Sequence, residues 1–311
     1  MSIDIAIRGT QRPLSPRLVT ALLFLVVCLS WGTTWLGINI AVESVPPLTA
    51  AGLRFLIAFP LFLFFARIRC EPIVFPRQHF AFFLFVTLGY FSVPYYLLNY
   101  GEQYVSSGLT ALLFSTMPVF ILIFSSLFLR ERIYLSQVLG IAIGFGSLFM
   151  IIKSQGLHLE YSELFGAIAI LVAAVMHALS YVITKLRGSD IGVITFNTLP
   201  IGLAGMGLFT AGLLTERPDL AAVTPQSWAA LAYLGLVASV GGFIVYFFLL
   251  KRLSPVVLSF VFIIFPVFAV VIGAWHEGTG ISRELGVYTL LLLVGFSITK
   301  LPIERLLTKE G

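Results

Sequence analysis

Residues 106–120 read SSGLTALLFSTMPVF, and residues 254–268 read SPVVLSFVFIIFPVF. Ser106 aligns with Ser254, and Pro118-Val119-Phe120 aligns with Pro266-Val267-Phe268. Each copy continues to a glutamate, Glu131 or Glu277, and nine residues later to a glycine, Gly140 or Gly286. The offset is 148 residues at the proline and 146 at the glycine, a difference absorbed by two residues of loop. One half of the chain therefore repeats the other.

Composition names the solvent in which the two halves fold. Of 311 residues, 59% are apolar and 11% charged, with a mean hydropathy of +1.03. Soluble domains run about 45–50% apolar and about 25% charged. A chain this apolar cannot cover itself with a wettable surface, which excludes a soluble enzyme. The 29 Phe and 27 Gly fit helices packed in lipid. A net charge of +5 would suit nucleic acid, but the Lys and Arg fall in short clusters between apolar runs instead of lining one face. No nucleic-acid partner is expected; the partners implied are a lipid bilayer and a small-molecule substrate. Cys28 lies in an apolar run and Cys70 in a basic loop, so free thiols are expected.

A membrane-crossing helix needs about 20 largely apolar residues at about 1.5 Å rise each. Ten stretches qualify: 18–42, 48–66, 80–100, 106–129, 134–152, 163–185, 191–214, 228–250, 255–275 and 285–302. Alternating patterns of the β kind are absent, and backbone groups in hydrocarbon must be satisfied within the segment, so the spans are helices. The first run follows Arg8, Arg12 and Arg17 and lacks a small-residue cleavage site, so it reads as a retained span. Alternate loops and both termini hold 15 basic residues, while the opposite loops hold Lys153, Arg217 and Arg283. By the positive-inside rule both termini are cytoplasmic. The expectation is an all-α membrane protein whose ten transmembrane helices form two five-helix repeats, residues 1–153 and 154–311. Because five is odd, the second repeat enters the membrane from the opposite face. Inverted repeats of this kind are characteristic of secondary transporters with sites near the midplane.

The sequence resembles the ten-helix EamA-type drug/metabolite transporters. WGTTWLGI (31–38), PPLTAAGLRF (46–55) and the two copies quoted above carry the likeness, which covers nearly the whole chain. The resemblance implies a basket-like bundle around a central cavity, with spans 5 and 10 peripheral and close together. It also implies export of small metabolites, with the amino-acid exporters the nearest branch. Members of the family often end the first motif with a lysine; Asn39 occupies that neighbourhood here, which argues against a strongly anionic substrate such as a sugar phosphate.

Polar and aromatic residues within the spans are the candidate site. The fourteen acids map to loops, termini or last helical turns, Glu43, Glu102 and Glu277 among them. Coupled pumps place carboxylates at membrane depth, so their absence favours uncoupled transport. Arg54, six residues into span 2, must face protein or water. It either attracts a substrate carboxylate or serves structure by snorkelling toward Glu43 or capping carbonyls. His177 shares a helical face with Ser180, Tyr181 and Thr184, and is the one buried titratable group able to couple protons. Span 1 offers Trp31, too deep for an interfacial belt, and Thr34; Trp35 and Trp228 suit such a belt. Tyr96, Asn99 and Tyr100 fall on one face of span 3, with Ser115 in span 4 and Tyr246 in span 8 as further candidates. The substrate-binding set is therefore Trp31, Thr34, Tyr96, Asn99, Ser115, His177, Tyr181 and Tyr246. Proline frees backbone carbonyls and kinks a helix, which makes Pro118 and Pro266 paired hinge candidates. Gly140, Gly144 and Gly146 read as close-packing positions.

The Gly-Lys pair of a nucleotide loop, HExxH, Cys-x-x-Cys and GxSxG are all missing. No catalytic residue, metal site or cofactor is expected. The leading expectation is a metabolite exporter working without ATP by alternating access in a bacterial inner membrane, as a monomer or weak homodimer. The alternatives are a proton-coupled antiporter and a membrane-embedded enzyme.

Overall fold

The computed structural model describes residues 16–130, 133–154, 161–188, 190–250, 252–253, 261–276, 278 and 280–298. Among them every regular element is helical. Arg8, Arg12, Glu131, Ser254, Glu277 and Lys300 lie outside the described residues.

The first half contains α1 (Pro16–Val42), α2 (Pro47–Arg69), a short 3₁₀ turn, α3 (Phe80–Phe85), a π-helical segment (Val86–Ser92) and α4 (Val93–Gly101). It continues with α5 (Ser107–Phe114), α6 (Met117–Leu129) and α7 (Leu135–Ser154). The second half repeats the order with α8 (Tyr161–Arg187), α9 (Val193–Thr215), α10 (Pro225–Tyr233), a second π-helical segment (Leu234–Gly241) and α11 (Gly242–Leu250). It ends with α12 (Val261–His276) and α13 (Arg283–Ile298). Helices α1 and α8 are both 27 residues long, and α2 and α9 are both 23. The π segments begin at Val86 and Leu234, and α7 and α13 begin at Leu135 and Arg283; both pairs keep the 148-residue offset of the proline repeat.

Among the described residues, seven helical segments are long and apolar enough to cross a membrane: 17–42, 47–69, 77–101, 107–129, 161–187, 193–215 and 225–246. Helices α7, α12 and α13 are shorter. Large apolar side chains such as Leu22, Phe64, Phe128, Phe149 and Leu214 project from the bundle. In water they would carry an unfavourable hydration free energy; lipid removes it.

Several contacts between elements recur when the halves are exchanged. Helix α1 packs on α12 as α8 packs on α6, and α1 touches α11 as α8 touches α4. The pairs α2–α9 and α7–α13 map onto themselves. Across α2–α9, Thr49 faces Gly212, Gly52 faces Phe209 and Phe59 faces Gly202. Numbers rise on one helix as they fall on the other, so these equivalent helices are antiparallel. Their approach is close: a Cβ on Gly52 would sit 2.5 Å from the Phe209 backbone nitrogen. In α7–α13, Gly144 meets Phe296, and a Cβ on Gly295 would lie 2.7 Å from the Gly140 carbonyl. Gly140 and Gly144 therefore are close-packing positions. Gly146 is not, because a Cβ there would meet nothing within 4 Å.

Helix ends show how the halves are tied. Pro46 and Pro47 open α2 without a side-chain cap of their own. Glu216, at the end of α9, supplies it: its carboxylate accepts the Leu48 and Thr49 amides at 2.8 and 3.0 Å and the Thr49 hydroxyl at 2.8 Å. A carboxylate at a helix N-terminus satisfies orphan donors and complements the macrodipole. At the opposite end of the same pair, Thr195 donates to the Pro72 carbonyl at 2.6 Å, and His79 meets Asp190 at 3.0 Å. Thus the basic loops following α2 and α8 share one end of the molecule. The loops carrying Ser44 and Thr224 share the other. Glu102, expected in a last helical turn, caps α4 and is buried, and its backbone carbonyl accepts from Asn39.

Candidate functional site: a central aromatic cavity

A cavity lies where α1, α4, α8 and α12 face each other. Small-molecule sites are typically concave, mostly apolar and furnished with a few placed polar groups. From α1 come Trp31, Thr34, Trp35 and Ile38, one helical face at i, i+3, i+4 and i+7. Trp31 stacks among Tyr246, Phe243 and Phe262 at centroid distances of 5.1, 6.2 and 5.8 Å. Trp35 is held between Phe114, 5.0 Å away, and Phe265, 5.9 Å away. Being 5% exposed, it is a cavity wall and not the interfacial belt residue its sequence position suggested. Trp228, at 39% exposed, does sit at the surface.

The polar groups are few. Arg54 points inward from α2 and is 4% exposed, so the snorkelling alternative does not hold. Its Nε donates to Ser239 Oγ at 3.0 Å, and its guanidinium lies 5.0 Å from the centre of the Tyr95 ring. Its Nη1 has no hydrogen-bond partner. His177 from α8 donates from Nδ1 to the Ala173 carbonyl at 2.9 Å, which fixes the ring among Tyr90, Tyr95 and Phe114. A carbonyl can only accept, so this contact assigns the proton to Nδ1. Tyr181, one turn further along α8, completes this wall. Ser180 on the adjoining face is spent on the helix contact, donating to the Gly89 carbonyl at 3.3 Å.

Of the residues picked from sequence, Trp31, Thr34, His177, Tyr181 and Arg54 line the cavity. Tyr246 stands behind Trp31 as its stacking partner. Like Tyr246, three more do not reach the lining. Tyr96 points away and packs near Tyr100; Asn99 is buried and donates to its own helix at Tyr95; Ser115 donates to the Leu112 carbonyl at 2.6 Å. Ser115 and Thr116 form a break between α5 and α6, where their hydroxyls satisfy carbonyls that lose helical partners. Pro118 occupies the first turn of α6, beyond that break, whereas Pro266 lies inside the continuous α12.

Span 3 contributes Tyr90 and Tyr95, which sequence reasoning passed over for Tyr96. In a regular α-helix, residues five apart are separated by about 140°. The π-helical segment uses i→i+5 hydrogen bonding, which brings such residues toward one side. Within that segment the Ser92 hydroxyl donates to the Thr87 carbonyl five residues back at 2.7 Å. The signal available in sequence was Gly89 followed by Pro94, both unfavourable to an unbroken α-helix.

A multi-pass helical bundle with two equivalent halves enclosing a cavity defines a membrane transport protein. Two stretches, 18–153 and 164–300, match the EamA-like transporter family. The chain belongs to that family. It is 38% identical over 279 residues to Protein PagO of Salmonella typhimurium, covering 90% of this chain and 92% of that one. It is 30% identical to the uncharacterized transporter YoaV of Bacillus subtilis, covering 90% and 96% of the two chains. It is also 31% identical to the inner membrane transporter YedA of Escherichia coli, over 81% of each. A solved crystal structure shares the fold at a TM-score of 0.68 and 18% identity, covering 93% of this chain and all but 1% of that one, whose coverage is 99%.

Proposed function

We propose that this membrane transporter exports small metabolites, amino acids or related solutes among them, from the cytoplasm by alternating access and without ATP. The observation that carries the reading is the cavity itself: aromatic walls from both halves surround one buried guanidinium and one imidazole. Such a site suits a solute with an apolar body and a polar end. Antiparallel packing of α2 on α9 and the contacts that recur on exchanging the halves support two inverted repeats, 1–153 and 154–311, of five spans each. Clustering of Arg67, Arg69, Arg77, Lys185 and Arg187 near one end supports assigning that end to the cytoplasm, with both termini there. The setting is a bacterial inner membrane, and the working unit a monomer or weak homodimer.

The test is uptake and counterflow of a panel of labelled amino acids and deaminated analogues in proteoliposomes. Movement of at least one solute, lost in Trp31→Ala, is the expected result. No movement across the panel would sink the proposal. A second reading, proton-coupled antiport, is favoured by the burial of His177 in the cavity wall. It predicts that an imposed pH gradient accelerates transport and that His177→Ala uncouples it.

A further inference from the structure

We infer that the cavity is built for an organic monoanion: a monocarboxylate with an aromatic or bulky apolar body, whose carboxylate binds the Arg54 guanidinium. This rests on the transport reading above and narrows its substrate class. Arg54 is 4% exposed, and a buried cation is unfavourable unless an anion or dipoles compensate it. Ser239 takes Nε and the Tyr95 face takes the plane, yet Nη1 is left without an acceptor. Among the described residues lining the cavity there is no Asp or Glu. The missing acceptor is therefore something that the cavity receives. A carboxylate matches the planar guanidinium edge and forms charge-assisted bonds with it.

The rest of the lining decides what the carboxylate is attached to. Trp31, Trp35, Phe114, Phe262 and Phe265 present ring faces and edges, and they offer no anionic partner to a substrate ammonium. One guanidinium balances one carboxylate, which disfavours phosphate esters. An α-amino group would have to be desolvated without a counter-charge, so a deaminated acid fits better than the amino acid of the same carbon skeleton.

Four probes of one size separate these terms: 3-phenylpropanoate, its neutral amide 3-phenylpropanamide, the cation 3-phenylpropylamine and the zwitterion phenylalanine. Binding to the full-length protein in detergent is read by thermal shift and by quenching of cavity tryptophan fluorescence. The acid is expected to bind at least about tenfold more tightly than each of the other three. In Arg54→Gln the acid-over-amide preference should fall to within about twofold with amide binding retained, and Arg54→Lys should keep part of it. If Arg54→Gln does not purify as a monodisperse protein, the wild-type acid-to-amide ratio alone decides. Equal binding of acid and amide, a preference that survives Arg54→Gln, or no binding of the acid overturns the inference. The outcome is separable from transport: acid-selective binding without solute movement upholds the anion site and removes the transport reading. Amino-acid movement without acid selectivity does the reverse.

Discussion

At the residue scale, the site turns on which tyrosine of span 3 faces inward. Tyr95 lies over Arg54 and against His177, while Tyr96 has no place in the lining. Tyr95→Ala should therefore lower the initial transport rate in proteoliposomes by about tenfold or more, and Tyr96→Ala by less than about twofold. Ser239 is wholly buried and provides the one hydrogen bond to Arg54 Nε. Removing its hydroxyl leaves a buried charged donor unpaired, at a cost of about 1–3 kcal/mol. Ser239→Ala should accordingly lower the thermal midpoint in detergent, and added 3-phenylpropanoate should restore part of the loss by binding only the folded state.

At the element scale, two devices position these side chains: π-helical segments at matching places in the halves, and glycine contacts that let equivalent helices touch. Deleting one residue from Val86–Ser92 would return the segment to α-helical register and swing Tyr90 by about 100° relative to Tyr95. The deletion variant should still insert in the membrane but lose binding, measured by the same fluorescence titration. Gly52→Ala puts a methyl group 2.5 Å from the backbone of α9, which only a shift of the helix can relieve. Overpacking of this kind costs about 1–3 kcal/mol. At Gly146 the space is open, so Gly146→Ala should be neutral or stabilising by up to about 1 kcal/mol through helix propensity. Thermal midpoints of the two variants check the contrast.

At the scale of the whole molecule, the ends of the bundle are the moving parts of any alternating-access cycle. One end is fastened by His79 to Asp190, with Thr195 on Pro72; the other by Ser44, Thr224 and Ser227. A His79→Cys/Asp190→Cys pair, built on Cys70→Ser and joined by a short bis-methanethiosulfonate linker, should stop transport and release it again on reduction. Transport that continues at full rate with the linker in place, verified by mass spectrometry, would show that this end need not part.

Much of this architecture was legible in the chain. Hydropathy dictated helices because hydrocarbon cannot hydrogen-bond a backbone, the charges in the loops grouped the ends, and the Pro-Val-Phe copies announced two equivalent halves. Span 1 also revealed its cavity face, since Trp31 and Thr34 lie on an uninterrupted helix where 3.6-residue periodicity holds. Span 3 did not, because a π-helical segment rotates everything beyond it and local sequence only weakly signals such a turn. Nor did sequence place Trp35 in the wall, whose burial depends on Phe114 and Phe265 arriving from distant segments. The inward aim of Arg54 was likewise decided only by packing. The hydrogen bond to Ser239, 185 residues away, and the ring of Tyr95 hold the charge in the cavity, and no local pattern encodes either contact.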